Sequence, residues 1–171
     1  RPMMKFLTAV ALLLVLVMLE ASAQSRAEPA AATTTAAAQQ ITRAGTQASI
    51  VASPAHFTGQ PPRIDPLWPA NHDINATGDL VTFEPGAHSD WHTHPAGQYL
   101  VVESGVGLTQ QWGKPVQVIR PGDVVWCPPG VKHWHGATPT TAVTILTITG
   151  TVDGKNVIWM EKVTDAQNHD H

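Results

Sequence analysis

The chain has 171 residues, and its 43% hydrophobic content is enough for a packed core in one domain with an extension. Ten Lys and Arg residues stand against 13 Asp and Glu residues, with no basic run. This balance excludes the electrostatic surface that nucleic-acid binding requires, so we expect a small-molecule ligand instead.

The N-terminal residues are typical of a secretory signal peptide over residues 1–23. Arg1 and Lys5 precede the apolar run 6–19, and the small residues 21–23 match a signal-peptidase site, with Gln24 as the expected first mature residue. The apolar run is shorter than the roughly 20 residues of a transmembrane helix. We therefore expect export to the periplasm or medium, without membrane attachment after cleavage.

A composition change separates this leader from the expected domain. Residues 24–46 are rich in Ala and Thr and lack an apolar period, so a flexible linker is expected. The folded domain is predicted over residues 47–167, followed by a disordered tail at 168–171.

Within the domain, short runs of Val, Ile, Thr and Trp alternate with Gly and Pro turns, which is typical of an all-β fold. No sustained helical period appears between Gly78 and Gly154, so a sandwich or barrel of antiparallel strands is expected. The predicted strands cover residues 80–83, 99–103, 108–112, 116–119, 124–126, 143–149 and 157–162.

Metal-ligating residue types concentrate at three places in this pattern. His92 and His94 are two residues apart, so in an extended strand their imidazoles point to the same side. Gln98 follows a Pro-Ala-Gly break that can return its side chain to that point, and His133 comes from a separate strand. Three imidazoles and one carboxamide oxygen suit one divalent first-row metal, such as Mn, Fe, Co, Ni or Zn.

These residues fall within two motifs that resemble those of the cupin superfamily. The first resembles the first cupin motif in the spacing of its motif positions, with Gln98 where most members have Glu: Gly86, His92, His94, Gln98 and Gly105. The second is similar in Gly122, the 128–130 Pro-Pro-Gly run and His133, with Ala137 at the usual Asn position. Each motif occurs once, so the resemblance implies a single-domain cupin β-barrel of the jelly-roll type.

The resemblance narrows to the bacterial manganese-dependent cupin hydroxynitrile lyases. It rests on the His-Thr-His-Pro-x-Gly-Gln run at 92–98, on residues 122–126, 132–137 and 159–165, and on an N-terminal arm at 57–67. It implies Mn²⁺ as cofactor, a lyase acting on cyanohydrins such as mandelonitrile, and a homodimer or homotetramer in which the arm can pair with a neighbouring copy.

His135 is the candidate general base, since it has the same strand parity as His133; a structural role is the alternative.

Five residues are candidates to line the substrate pocket, although core packing would also explain the apolar ones: Val81, Phe83, Trp126, Thr147 and Thr149. Asp79 has the parity of Val81 and reaches either the barrel mouth or solvent. The remaining histidines are expected in exposed loops or tails: His56, His72, His88, His169 and His171.

Two other functional classes fit the same motifs. A metal-dependent oxygenase fits because a histidine-rich site with open positions also suits Fe(II). A noncatalytic cupin that binds a small molecule fits because one fold supports many functions.

Overall fold

The computed structural model describes residues 37–168. The predicted signal peptide, the first part of the predicted linker and the last three residues of the tail lie outside this range. Residues 37–46 of the linker are exposed coil and turn.

Strands account for almost all of the regular secondary structure of the described chain. A single turn of 3-10 helix covers Pro54–His56, and helix α1 covers Asp165–Asn168. Among the described residues, no helix has the length and apolarity needed to cross a membrane. The strands are β1 Ile50–Val51, β2 Phe57–Thr58, β3 Arg63–Trp68, β4 Ala76–Phe83, β5 His88–Ser89, β6 His92–Thr93, β7 Gln98–Gly105, β8 Gly107–Gln111, β9 Gln117–Ile119, β10 Val124–Cys127, β11 His133–Ala137, β12 Val143–Gly150 and β13 Ile158–Trp159.

These strands form two antiparallel sheets. The first has the order β1-β3-β4-β12-β7-β10. The second has the order β13-β6-β11-β5-β2, and β8 joins it by pairing with both β11 and β9. The prediction of an all-β barrel with antiparallel strands is confirmed.

Strand β12 shows why the sequence forms this barrel. Its buried and half-buried residues alternate strictly, so that Val143, Ile145, Thr147 and Thr149 face inward. Such period-two burial is the pattern of a strand with one face on the core. The inward apolar residues of this strand join Phe83, Leu100 and others in a core that both sheets contribute to.

The N-terminal arm pairs within its own chain. Strand β3, which the turn-rich sequence did not predict, lies antiparallel to β4, with Ile64 opposite Val81. Strand β13 is shorter than the predicted strand at 157–162 and pairs only with β6. The arm therefore closes one side of the barrel next to the site described below.

Candidate metal centre

Three imidazoles converge inside the barrel because their strands are neighbours. His92 on β6 lies directly opposite His133 on β11, and their ring centroids are 4.4 Å apart. His94, just after β6, lies 5.0 Å from the ring of His92 and 5.3 Å from that of His133. The predicted pair of histidines and the separate His133 are thus brought to one point.

A tight turn brings Gln98 to the same region. Gly97 has a φ of 82°, in the left-handed region that favours glycine, and a Cβ there would lie 2.4 Å from the Trp126 ring. The chain can therefore reverse directly before β7, at whose first position Gln98 is buried. Its amide Nε2 donates to the Thr149 hydroxyl at 3.0 Å. The amide oxygen Oε1 therefore points away from Thr149.

Backbone carbonyls fix which ring nitrogen carries the proton. Nδ1 of His92 donates to the Asp90 carbonyl at 2.8 Å, and Nδ1 of His133 donates to the Val131 carbonyl at 3.0 Å. Nδ1 of His94 donates to the Asn156 carbonyl. Because a carbonyl can only accept, each Nδ1 is protonated, and in the neutral ring Nε2 keeps a free lone pair.

The free acceptors at the centre of the cluster have no hydrogen-bond partner among residues 37–168. Three buried atoms are unpaired in this way: Nε2 of His94, Nε2 of His133 and Oε1 of Gln98. Leaving a buried acceptor unpaired costs about 1–3 kcal/mol, and such groups are rare in native proteins. A bound cation would satisfy all three, so the donor set fits a divalent metal.

Burial also keeps these imidazoles uncharged. It lowers the pKa of His133 to about 4 and lowers the pKa of His94, each against an opposing hydrogen bond to a backbone carbonyl. The pKa of His92 is held well below its ordinary value, by burial first and then by the neighbouring His133 and His135. Neutral rings at neutral pH are the form that binds metals.

His135 lies beside this cluster without a carbonyl anchor on its ring. Its centroid is 5.4 Å from that of His92, and its ring stacks on His133 at 5.9 Å. Nδ1 of His135 is buried and unpaired, while its backbone N–H donates to the Ser89 hydroxyl at 3.2 Å. Burial, followed by the neighbouring imidazoles of His133 and His94, holds the pKa of His135 well below the ordinary value. One ring nitrogen from each of His92, His133 and His135 lies within 4.8 Å of the others.

A cavity of about 160 Å³ opens onto this cluster. Four of the predicted pocket residues, Val81, Phe83, Thr147 and Thr149, line it. The sequence left Asp79 on β4 either at the barrel mouth or in solvent, and the structure places it in this wall. The sequence did not assign the other wall residues, which come from the arm, from β5 and from the segment before and within β13: Phe57, Pro62, Ile64, Ser89, Asn156, Val157 and Trp159.

Two placements predicted from the sequence are wrong. Trp126 does not line this cavity: it pairs with Tyr99 across β10 and β7, its ring lies tilted against that of Tyr99 at a centroid distance of 4.5 Å, and it is 46% exposed. Its parity is that of Tyr99, opposite to that of Gln98, so its side chain lies on the other face of the sheet from that of Gln98. His88 is buried at 4% exposure instead of lying in an exposed loop, because β5 packs it against Trp134.

Comparisons with known proteins agree with this architecture. Residues 79–149 match the Cupin domain family. An (R)-mandelonitrile lyase from Granulicella tundricola is 55% identical over 128 residues, which cover 75% of this chain and 97% of that protein.

Solved structures show the same fold. A cupin-like protein from Thermotoga maritima superposes with a TM-score of 0.63 at 35% identity, covering 75% of this chain and 94% of the other. A cupin-2 domain protein from Rhodospirillum rubrum superposes with a TM-score of 0.58 at 19% identity, covering 76% and 84% of the two chains, and supports the fold alone.

Proposed function

The chain belongs to the cupin family, and from that premise we propose that it is a metal-dependent lyase that cleaves and forms cyanohydrins such as mandelonitrile. The observation that carries the proposal is the set of buried, unpaired acceptors on His94, Gln98 and His133, of which His94 and Gln98 line a small cavity. The 55% identity to a mandelonitrile lyase supports the reaction class.

In this proposal His92, His94, Gln98 and His133 hold one divalent transition metal, with Mn²⁺ as the proposed ion. Fe²⁺, Zn²⁺, Ni²⁺ and Co²⁺ also suit imidazole and carbonyl donors. Since Gln98 is neutral where a Glu would cancel one positive charge, the bound ion would supply strong electrostatic stabilisation to an anionic oxygen or nitrogen. The hydrogen bond from Gln98 to Thr149 keeps the amide oxygen, not the amide nitrogen, facing the imidazoles.

His135 is the proposed proton acceptor. Its buried ring is neutral and offers an unused nitrogen, and it lies beside the ligand imidazoles. The cyanohydrin hydroxyl gives its proton to His135 as the C=O bond forms and the bond to the nitrile carbon breaks. Cyanide leaves with the electron pair of that bond and takes the proton from His135. Burial disfavours the charged imidazolium, so the proton is readily returned.

The cavity walls suit a small substrate with an apolar body. A cavity of 150 Å³ holds a benzene ring, so about 160 Å³ provides space for one aromatic ring. Val81 and Phe83 supply an apolar wall on β4, and the edge of Phe83 contacts His135, with ring centroids 5.6 Å apart. These residues would hold the ring and exclude water near the proton acceptor.

We also propose export, based on the leader pattern at residues 1–23. Mature protein recovered from the periplasm or medium would then begin at Gln24. Recovery of the uncleaved N-terminus from an otherwise intact protein would contradict this proposal.

The reaction is tested by benzaldehyde release from racemic mandelonitrile at mildly acidic pH, with an oxygen electrode in parallel. Mn-loaded wild type should release benzaldehyde above background, and His133→Ala, which removes one ligand, should not. If Mn-loaded protein gives no rate while Fe-loaded protein consumes oxygen with an organic substrate, the lyase is wrong and an oxygenase takes its place.

A further inference from the structure

Asp79 is the only acidic side chain among the described residues that line the cavity. It lies on β4 with the same parity as Val81 and Phe83, the two residues that form the apolar wall. Its carboxylate is therefore directed toward the interior of the site and not toward the outer face of the sheet.

Among the residues that the structure describes, no cationic side chain neutralises this carboxylate. Within residues 37–168, Asp79 forms no ion pair, and neither Lys nor Arg lines the cavity. Burial raises the pKa of Asp79, against a smaller opposing effect of the Thr77 hydroxyl. A half-buried carboxylate without a cationic partner is poorly solvated, so a donor group on a ligand would stabilise it.

The strand order sets its separation from the proposed metal ligands. Asp79 is paired with Thr147 on β12, and β12 lies between β4 and β7, which carries Gln98. Two strand spacings of about 4.8 Å place the two backbones roughly 10 Å apart. The cavity between them has the volume of about one aromatic ring.

We propose that Asp79 determines substrate specificity by accepting a hydrogen bond from a hydroxyl or amine on the end of the substrate remote from the reacting carbon. The same charge disfavours substrates that carry a carboxylate at that end. The favoured class is therefore a small aromatic cyanohydrin or aldehyde with a donor on its ring. The inference rests on the proposed function for the choice of aldehydes as the reacting group.

The test measures binding, which does not require turnover. Dissociation constants of benzaldehyde, 4-hydroxybenzaldehyde and 4-carboxybenzaldehyde are determined by calorimetry on metal-loaded protein. Wild type should bind the hydroxyl compound about tenfold more tightly than benzaldehyde, as expected for a hydrogen bond to a charged acceptor. It should bind the carboxyl compound about tenfold more weakly, because two like charges would share a cavity of low polarity.

Two substitutions separate the hydrogen bond from the charge. In Asp79→Ala, the three constants should fall within about threefold of one another, with benzaldehyde affinity retained. In Asp79→Asn, the preference for the hydroxyl compound should persist in part, because the amide oxygen still accepts, while the rejection of the carboxyl compound should disappear. The matched control is Asp65→Asn, one strand away on β3 and outside this cavity, which should leave all three constants unchanged.

The outcomes distinguish this inference from the proposed function. If mandelonitrile is not cleaved but the binding pattern and its loss in Asp79→Ala are observed, the function fails and the role of Asp79 stands. If wild type shows no preference for the hydroxyl compound, or Asp79→Ala keeps that preference, the inference is overturned. Loss of metal from both Asp79 variants would also overturn it, because Asp79 would then act as a metal ligand.

Discussion

Acidification should destabilise the metal-free protein through His133. Burial lowers the pKa of this residue from an ordinary 6.5 to about 4 in the folded state. Between these values the unfolded chain binds a proton that the folded chain does not. The contribution of His133 to stability is therefore complete above pH 6.5, and it is lost as the pH falls from 6.5 to about 4.

The magnitude follows from the difference between the two pKa values. A difference of about 2.5 pH units, at 1.36 kcal/mol for each, lowers the free energy of unfolding by about 3 kcal/mol. His92 and His135 act in the same direction, because burial also holds their pKa values well below the ordinary one. Against a typical domain stability of about 5–15 kcal/mol, this loss is large enough to measure.

Urea denaturation of chelator-treated protein, followed by tryptophan fluorescence at several pH values from 7 to 4, measures this loss. Carboxylates also titrate in this range, so the comparison is with His133→Asn, whose amide can still donate to the Val131 carbonyl. The variant should lose about 3 kcal/mol less than wild type over the same pH range. Parallel losses in the two proteins would refute the assignment of the pH dependence to His133.

Three further substitutions, the last with a matched control, test the metal charge, the proton acceptor and the core separately. Gln98→Glu should retain the metal, or bind it more tightly, yet lower the lyase rate because the added charge weakens stabilisation of cyanide. Metal content and lyase rate are measured together, and an unchanged rate at full metal content would contradict this. His135→Ala should keep the metal but lower kcat by about 10²–10⁴-fold, the usual effect of removing a general base, whereas unchanged turnover per folded molecule would indicate a structural role. Ile145→Ala should lower the free energy of unfolding by about 2–5 kcal/mol because the side chain is fully buried. Val124→Ala, at a 60% exposed position, should change it by about 0.5 kcal/mol or less in urea denaturation, and equal effects would contradict the burial argument.

The long strands could be predicted from the sequence because their period-two pattern is complete. The predicted strand at 143–149 corresponds to β12, and the one at 99–103 lies within β7. Strand β4 begins four residues before the predicted position 80, because Thr77 and Asp79 belong to its inward face but are not apolar.

Strand β3 was missed because it contains Pro66, which interrupts a strand pattern. The structure accommodates this proline at an open edge: β1 pairs only with Arg63 and Ile64, and the Pro66 carbonyl accepts from the side chain of Gln47 instead. Strands β5 and β6 have two residues each, too few for any periodicity. These segments depend on tertiary pairing, which local sequence does not encode.

For the candidate site, spacing and family resemblance identified the residues that the structure brings together, and their role as metal ligands stays a prediction. The contacts that orient them could not be predicted. His94 is held by the Asn156 carbonyl, 62 residues away, and Gln98 by Thr149, 51 residues away. Strand parity left Asp79 either at the barrel mouth or in solvent, and only the structure places it, half-buried, at the cavity wall.

The most direct test of the account is the rate of mandelonitrile cleavage as metal is added back to chelator-treated protein. Without metal the rate should not exceed background, and it should increase linearly on addition of Mn²⁺. The rate should reach a plateau at one equivalent per chain, and His133→Ala should remain inactive throughout. Cleavage by the metal-free protein at the rate of the loaded protein, or no cleavage by fully loaded wild type, would contradict it.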